Sequence, residues 1–540
     1  MIIGAICFLA IVPFFWHGIP SGHDFEFHMY SWMEVLGQWK QGIVYPRWAG
    51  LAHWGYGEAR FVFYPPASWI LGAGLGAILP WKVVPGGYVW IALTLAGLSM
   101  FRLAREWLPL SDALFAAVFY AVNPYHLVIV YWRSAYAELL AGVLLPLLVL
   151  CVVRMESRNW RPVLGLGLTL CAAWLTNAPA AVMVHYSLAA LIGVRAVLDR
   201  SWRPLAQGVA AISLGAGLAA FYLVPAYYEQ KWVNIGEILA PGVRPQDNFL
   251  FTTIADPDHN RFNLMVSTVA LAAIIGVAIA VWFSRTWRKT QRGLWTMLLV
   301  WAGMASLVMF SITNRLWAHL PELRFVQLPW RWLLCLNCAL ALLMGMARWR
   351  WRGRALFSAG LLAVVLLVGY RIQPPWWDTA ADIREIQNAM ANGTGMEGTD
   401  EYVPAGADPY EVNQSAPFIV NDSGRPMTVE EMTWGPLEKY FVIHVSEPET
   451  MTLRLFNYPA WGVTVNGRSV ETQTADVTGQ MVIPVSAGSS DVRIRFRRTK
   501  DRTVGNVISL AFLVGGILSV VWGGRKPDND GEHRGSQGNA

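Results

Sequence analysis

Apolar runs of about 17–25 residues recur along most of this chain, each long enough to cross a hydrocarbon core of roughly 30 Å as a helix. Backbone inside a bilayer must satisfy its own N–H and C=O groups, so such runs are confined to packed membrane helices. The composition agrees: 14% of the 540 residues are charged and 55% are hydrophobic, where soluble domains carry about a quarter charged. The first run, residues 1–20, has neither a basic start nor a small-residue cleavage motif, and it reads as a retained span rather than a removed signal.

Orientation follows from the polar breaks. Residues 154–161, 195–203, 285–292 and 348–354 each hold three or four Arg or Lys, which places them in the cytoplasm. The +6 net charge is therefore topological and gives no footprint for nucleic acid. The alternate breaks, residues 177–179, 225–263 and 311–329, then face outward. One stretch resists this count, because an inward N-terminus leaves the region 62–136 one crossing out of step. Either residues 62–80 are re-entrant, or a segment near Arg102, Arg105 and Asp112 fails to cross.

After a span at residues 355–370 the periodicity changes from helical to alternating. Residues 439–446, 450–458, 461–465, 481–485 and 491–498 read as strands, with Asn466-Gly467 as a hairpin turn. The expected fold is a polytopic α-helical membrane protein of about 11–13 spans with a small extracytoplasmic β-sandwich-like domain near the C-terminus. Its expected divisions are a membrane domain over 1–371 with a first external loop at about 20–61, a mainly β domain over 372–502, a last span over 503–523, and a disordered cytoplasmic tail over 524–540.

The candidate chemistry starts at residues 21–45, SGHDFEFHMYSWMEVLGQWKQGIVY. Asp24 lies just outside the first span, where a general base for a membrane-borne substrate would sit. The plainer reading is an acid at a helix start, favoured by the helix dipole. His28 falls one turn on, so Asp24 and His28, with Glu26 nearby, could help hold a divalent cation, although two ligands make no site. The following helix, residues 25–39, is apolar over much of its circumference and reads as interfacial.

Arg47 and Arg60 stand at headgroup height, Arg60 before the FVFYPP break that contains Tyr64. They can fork onto a phosphate or snorkel. Arg133 and Glu138 lie inside an apolar segment, where ionised groups must face a cavity or each other. Arg331, after Trp330, begins a span from the outer side. There is no P-loop, dinucleotide fingerprint, nucleophile elbow or H-E-x-x-H motif, so nucleotide-driven chemistry is unsupported. Tyr458 and Trp461 could stack on sugars or pack a core.

GHDFEFH (22–28), GIVYPRW (42–48), FVFYPP (61–66), WRSAYAE (132–138) and QLPWRWL (327–333), with NYPAWGVTVNGRSV (457–470), resemble in order and spacing the bacterial 6-pyruvoyl-tetrahydropterin-synthase-related membrane proteins, close to the YfhO-like family. The resemblance implies a GT-C architecture in the bacterial inner membrane with the β domain facing the periplasm or exterior. It implies transfer of a sugar from a polyprenyl-phosphate donor to a glycan, lipid or protein acceptor, with Asp24 as catalytic acid. His28, Arg47, Arg60, Tyr64, Arg133, Glu138, Trp330 and Arg331 would then contact substrate. The alternative is a non-catalytic protein that binds or moves a lipid-linked glycan. Pterin chemistry is not implied, since no histidine cluster suited to a catalytic zinc is present outside the spans.

Overall fold

Among the described residues eight helices are long and apolar enough to cross a membrane, including Val84–Ala104, Leu110–Arg133, Tyr136–Val153, Pro257–Ser284, Pro329–Met346 and Trp351–Ile372. Two further helix pairs are bent at short breaks, Arg203–Leu218 with Ala220–Trp232 by 76° and Arg292–Leu307 with Ser311–His319 by 93°. Ile2–His17 and Arg161–Thr176 are shorter apolar helices. With each bent pair counted as one passage the described residues hold up to ten spans, fewer than the expected 11–13, because these two helices are too short to meet the length of a full crossing. The computed structural model describes residues 1–155 and 160–523, so the expected disordered tail lies outside the described residues.

The miscounted region contains one short helix. Pro66–Gly76 has 11 residues, about 16 Å of helix and half a hydrocarbon core. It packs against the Phe25–Lys40 and Val84–Ala104 helices, and it starts at a proline, where the missing N–H costs no intrahelical bond. Its length suits the re-entrant alternative, while Val84–Ala104 and Leu110–Arg133 are each long enough to cross. On that alternative the loop before it and the start of the next span share one face.

That face is stitched together by backbone. Ile19–Pro20 pairs antiparallel with Trp377–Asp378, Leu250 N–H donates to Met309 C=O at 3.0 Å and Asn234 N–H to Val403 C=O at 3.0 Å. The basic breaks gather at the other face, where Arg354 pairs with Asp112 at 2.6 Å and Arg154 with Glu106.

The β region before the last helix is a sandwich of two antiparallel sheets. One holds Glu438–Val445 at its interior, flanked by Val429–Trp434 and Gly488–Phe496, and continues to Trp461–Val465 and Arg468–Val470. The other runs Ile419–Asn421, Glu449–Phe456, Gln480–Val485, Gln473–Thr474. The expected Asn466-Gly467 turn has both φ values positive, 50° and 76°, and closes the hairpin in the register Val465 opposite Arg468. Phe441, Ile443, Leu453, Met481, Val492 and Ile494 fill the interior. Tyr458 and Trp461 belong to this core, 1% and 6% exposed, not to a sugar-stacking surface.

The segment before the Pro66–Gly76 helix enters the same core through Trp48, Tyr56, Val62 and Phe63. The helix after Asp24 also differs from the interfacial reading. Over Phe25–Lys40 its Met29, Trp32 and Val35 are fully buried, because the re-entrant helix and the outer domain cover the side expected to meet lipid headgroups.

Two buried carboxylates fasten the outer layer to the spans. Glu229 accepts from Arg502 Nε and Nη2, both at 2.7 Å, and from Tyr458 Oη at 2.5 Å. Glu58 accepts from Arg60 Nε at 2.5 Å and Thr399 N at 2.8 Å, with His53 Nε2 at 3.0 Å. Removing one partner of a buried pair leaves an uncompensated charge, which costs about 3–5 kcal/mol. Glu229→Gln is therefore expected to lower the thermal midpoint of the detergent-solubilised protein sharply, whereas Glu438→Gln, an exposed partner of Arg495, should shift it little.

Candidate functional site

Asp24 occupies the N-cap position of the Phe25–Lys40 helix, yet its side chain makes no capping hydrogen bond. Its carboxylate points instead toward Arg133, with Oδ2 3.6 Å from Nη2, and is 39% exposed. The backbone sets this aim. Asp24 N–H donates to Arg133 C=O at 2.9 Å, Gly22 N–H donates to Ser134 Oγ at 3.0 Å, and Ser134 Oγ–H donates to Pro20 C=O at 2.8 Å. Gly22 is needed for the approach, since a Cβ there would fall 2.3 Å from the Trp132 carbonyl oxygen.

Arg133 is delivered by a π-helical turn, Ile129–Arg133, that ends in left-handed Ser134 at φ 51°. Such turns and single left-handed residues cluster at functional sites. Beneath Asp24, Arg133 Nη1 donates to Glu138 Oε2, and Arg331 Nε lies 3.2 Å from the same oxygen. Tyr125 Oη–H donates to Glu138 Oε1 at 2.5 Å. Arg331 Nη1 donates to Val326 C=O at 2.8 Å and Gln327 Oε1 at 3.0 Å. Trp330 is buried beneath the Arg133 guanidinium, which lies 4.8 Å from its ring centre.

Two guanidiniums thus share one buried carboxylate. The triad carries one positive charge in excess, and Asp24 is the acid that meets it from the open side. Guanidiniums held as a pair can engage a phosphate in forked geometry.

The other expected residues are divided. Tyr64 is half-buried with its ring 4.7 Å from Phe27 and 6.0 Å from His28. His28 is buried beside Tyr136 and Trp32, and burial brings its imidazole down to about 4, so it stays neutral. Arg60 stacks on Phe27 at 4.4 Å, but its charge is matched by Glu58. Burial alone would raise the Glu58 carboxyl, while Arg60, His53 and the Thr399 N–H bring it to about 2. Arg60 is thus a structural ion, not a free phosphate ligand. Arg47 is carried away from Asp24 to the Glu229–Arg502 cluster and stacks on Tyr45 at 4.3 Å.

The possible cation ligands do not assemble. Glu26 faces Asp378 and Glu397, and among the described residues no three His, Cys, Asp or Glu side chains group to hold a metal. Sequence reasoning missed Tyr125, Ser134 and Gly22 as supports. Asn123 at the start of its helix was a visible cap signal for placing Tyr125, but nothing local betrays the π-helical turn.

A cleft of about 990 Å³ runs between the first helix, Leu110–Arg133 and Trp351–Ile372. Its walls are apolar, from the exposed Leu9, Leu362 and Leu366 at one part to Trp132 at another. Pro374, Pro375 and Trp377 also line it, and Trp376 between them sets its ring 5.6 Å from His23. The cleft therefore abuts the segment that carries Asp24.

The geometry separates structure from chemistry in a measurable way. Glu138→Gln leaves two buried arginines without their shared counter-ion and should cost at least about 3 kcal/mol of stability. Asp24→Asn removes a partly exposed pair and should change stability by less than about 1 kcal/mol. Denaturant titrations of the two variants check this contrast.

A family model described as 6-pyruvoyl-tetrahydropterin synthase related domain, membrane protein, matches residues 61–374. The match takes in Tyr64, Arg133, Glu138, Trp330 and Arg331 and begins after Asp24. No curated protein matches the chain. With more than half its length covered by that model, and with the spans and the Arg133–Glu138–Arg331 triad inside the matched part, the chain belongs to the 6-pyruvoyl-tetrahydropterin synthase related family of membrane proteins.

Proposed function

We propose that this protein is a membrane glycosyltransferase that moves a sugar from a polyprenyl-phosphate donor to an extracytoplasmic acceptor. The observation that carries the reading is Asp24, an uncapped, partly exposed carboxylate held 3.6 Å from a buried triad with one positive charge in excess. The apolar cleft ending beside Trp132 and Trp376 supports a lipid chain reaching this point from the bilayer. The basic breaks at the opposite face support an outward-facing site in a bacterial inner membrane.

In this reaction the acceptor hydroxyl oxygen attacks the anomeric carbon and Asp24 takes its proton. The bond from the anomeric carbon to the phosphate oxygen breaks, and its electron pair leaves with the lipid phosphate. Arg133 and Arg331 meet the charge that develops there, in a partly water-excluded setting where fixed donors count most. Single displacement inverts the anomeric centre. Trp330 and Tyr125 act by holding Arg133 and Glu138 in place.

The test is turnover of polyprenyl-phosphate sugars by purified protein, read as release of lipid phosphate. Asp24→Asn should lower the rate by about 10²–10⁴-fold while donor binding persists. Arg133→Lys should keep the charge, lose the forked geometry and weaken both binding and rate. Unchanged turnover in Asp24→Asn would remove the base, and saturable binding of a lipid-linked glycan with no turnover of any donor would favour the transport reading.

A further inference from the structure

A second cavity, of about 630 Å³, lies at the other end of the Phe25–Lys40 helix, ten residues or about 15 Å of helix from Asp24. Its walls come from five parts of the chain, one of them the loop at Gly50 and Leu51. Glu34 and Gln38 belong to the helix, Trp81 to the turn after the re-entrant segment, Gln387 to the Ala380–Ala391 helix, and Trp434 and Lys439 to the outer sheet. Its volume falls in the range of small-molecule sites, about 300–1,000 Å³.

The polar groups in these walls are incompletely satisfied. Glu34 Oε1 accepts from the Gly50 and Leu51 N–H groups, but Glu34 Oε2 is buried with no hydrogen-bond partner, and so is Gln38 Oε1. Gln38 Nε2 is committed to Trp48 C=O at 2.8 Å. Lys439 is 2% exposed and, among the described residues, donates only to carbonyls, Gly435 at 2.7 Å and Pro436 at 3.2 Å. Its ammonium lies 4.4 Å from the Trp461 ring centre and 5.7 Å from that of Trp434. An acid and a base are thus buried around one cavity without forming an ion pair, which is costly unless something else engages them.

The cost is visible in their protonation. Burial pushes the Glu34 carboxyl up to about 7, against the pull of Arg60 and the two N–H groups. Burial likewise pushes the Lys439 ammonium down to about 7, against the pull of Glu34. Lys40, which is exposed, is the third ionisable group of the lining. A hydroxyl both donates and accepts and therefore suits either state of each group. The half-buried indoles of Trp81 and Trp434 offer flat apolar faces for the C–H side of a pyranose ring.

We infer that this cavity is a carbohydrate-binding site, with Glu34, Gln38 and Lys439 engaging hydroxyls and Trp81 and Trp434 packing on ring faces. The site stands apart from the Asp24 centre and needs no turnover there. Where that centre transfers a sugar, a site about 15 Å along the same helix suits the non-reacting units of a glycan acceptor.

The full chain, in a detergent without a sugar headgroup, is titrated calorimetrically with maltotriose, cellotriose, mannotriose and triacetylchitotriose. Saturable binding of at least one is expected. Its dissociation constant should rise at least about tenfold in Glu34→Gln and in Trp434→Leu and stay unchanged in Asp24→Asn. A variant whose melting midpoint falls is replaced by Trp81→Leu on a third wall. No saturable binding of any of the four, or equal binding by the wall variants, would overturn the inference. Loss of binding in Asp24→Asn would overturn the separation of the two sites.

Discussion

Two arginines sharing one buried carboxylate set the terms for much of this molecule. Taking each ion of such a triad out of water costs several kcal/mol, and the attraction within it returns that only if the geometry is held closely. The fold meets the demand with backbone. A π-helical turn brings Arg133 to Glu138, left-handed Ser134 turns the chain back at once, and a sharp turn with Gln327 at φ 64° aims Arg331 from another helix. Gly22 then lets the first loop lie against Trp132 closely enough for Asp24 to reach the triad. Strained positions gathered at one spot mark where the sequence gives up local ease for placement.

The outer domain takes part in that placement. Trp48, Tyr56 and Phe63 of the first loop fill the sandwich interior beside Phe441 and Ile483, so the loop is anchored and is not a free lid. Glu58 binds Arg60 and the Thr399 N–H, and Glu229 joins the bent Ala220–Trp232 segment to Arg502 and Tyr458. The segment from Asp24 to Tyr64 is consequently held from above by sheet and from below by spans. A carboxylate that must stay within about 4 Å of a partner without bonding to it benefits from such a frame, because sub-ångström placement governs proton transfer and charge stabilisation.

The spans, the outer strands and the Asn466-Gly467 hairpin were legible because each follows from a local period or a turn preference. Glu138 with Arg133 was legible for a related reason, since ionised groups in an apolar run must find each other. Arg60 was not, although Glu58 lies two residues away, because sequence proximity does not reveal that both side chains turn inward. The Phe25–Lys40 helix was read as interfacial on its own composition, and its burial depends on the re-entrant Pro66–Gly76 helix and on the distant sheet. Strands Ile419–Asn421 and Val429–Trp434 were missed because each is short or half-exposed and takes its pairing from distant strands.

Position relative to the bilayer ties these elements together. The long apolar cleft and the charged triad are incompatible environments, yet they meet within one residue, Trp132 lining the first and Arg133 belonging to the second. A soluble substrate would need only the polar side, and a simple lipid only the apolar side. Asp24, partly exposed and 3.6 Å from the Arg133 guanidinium, closes the polar side of that boundary and turns its carboxylate toward the excess positive charge of the triad.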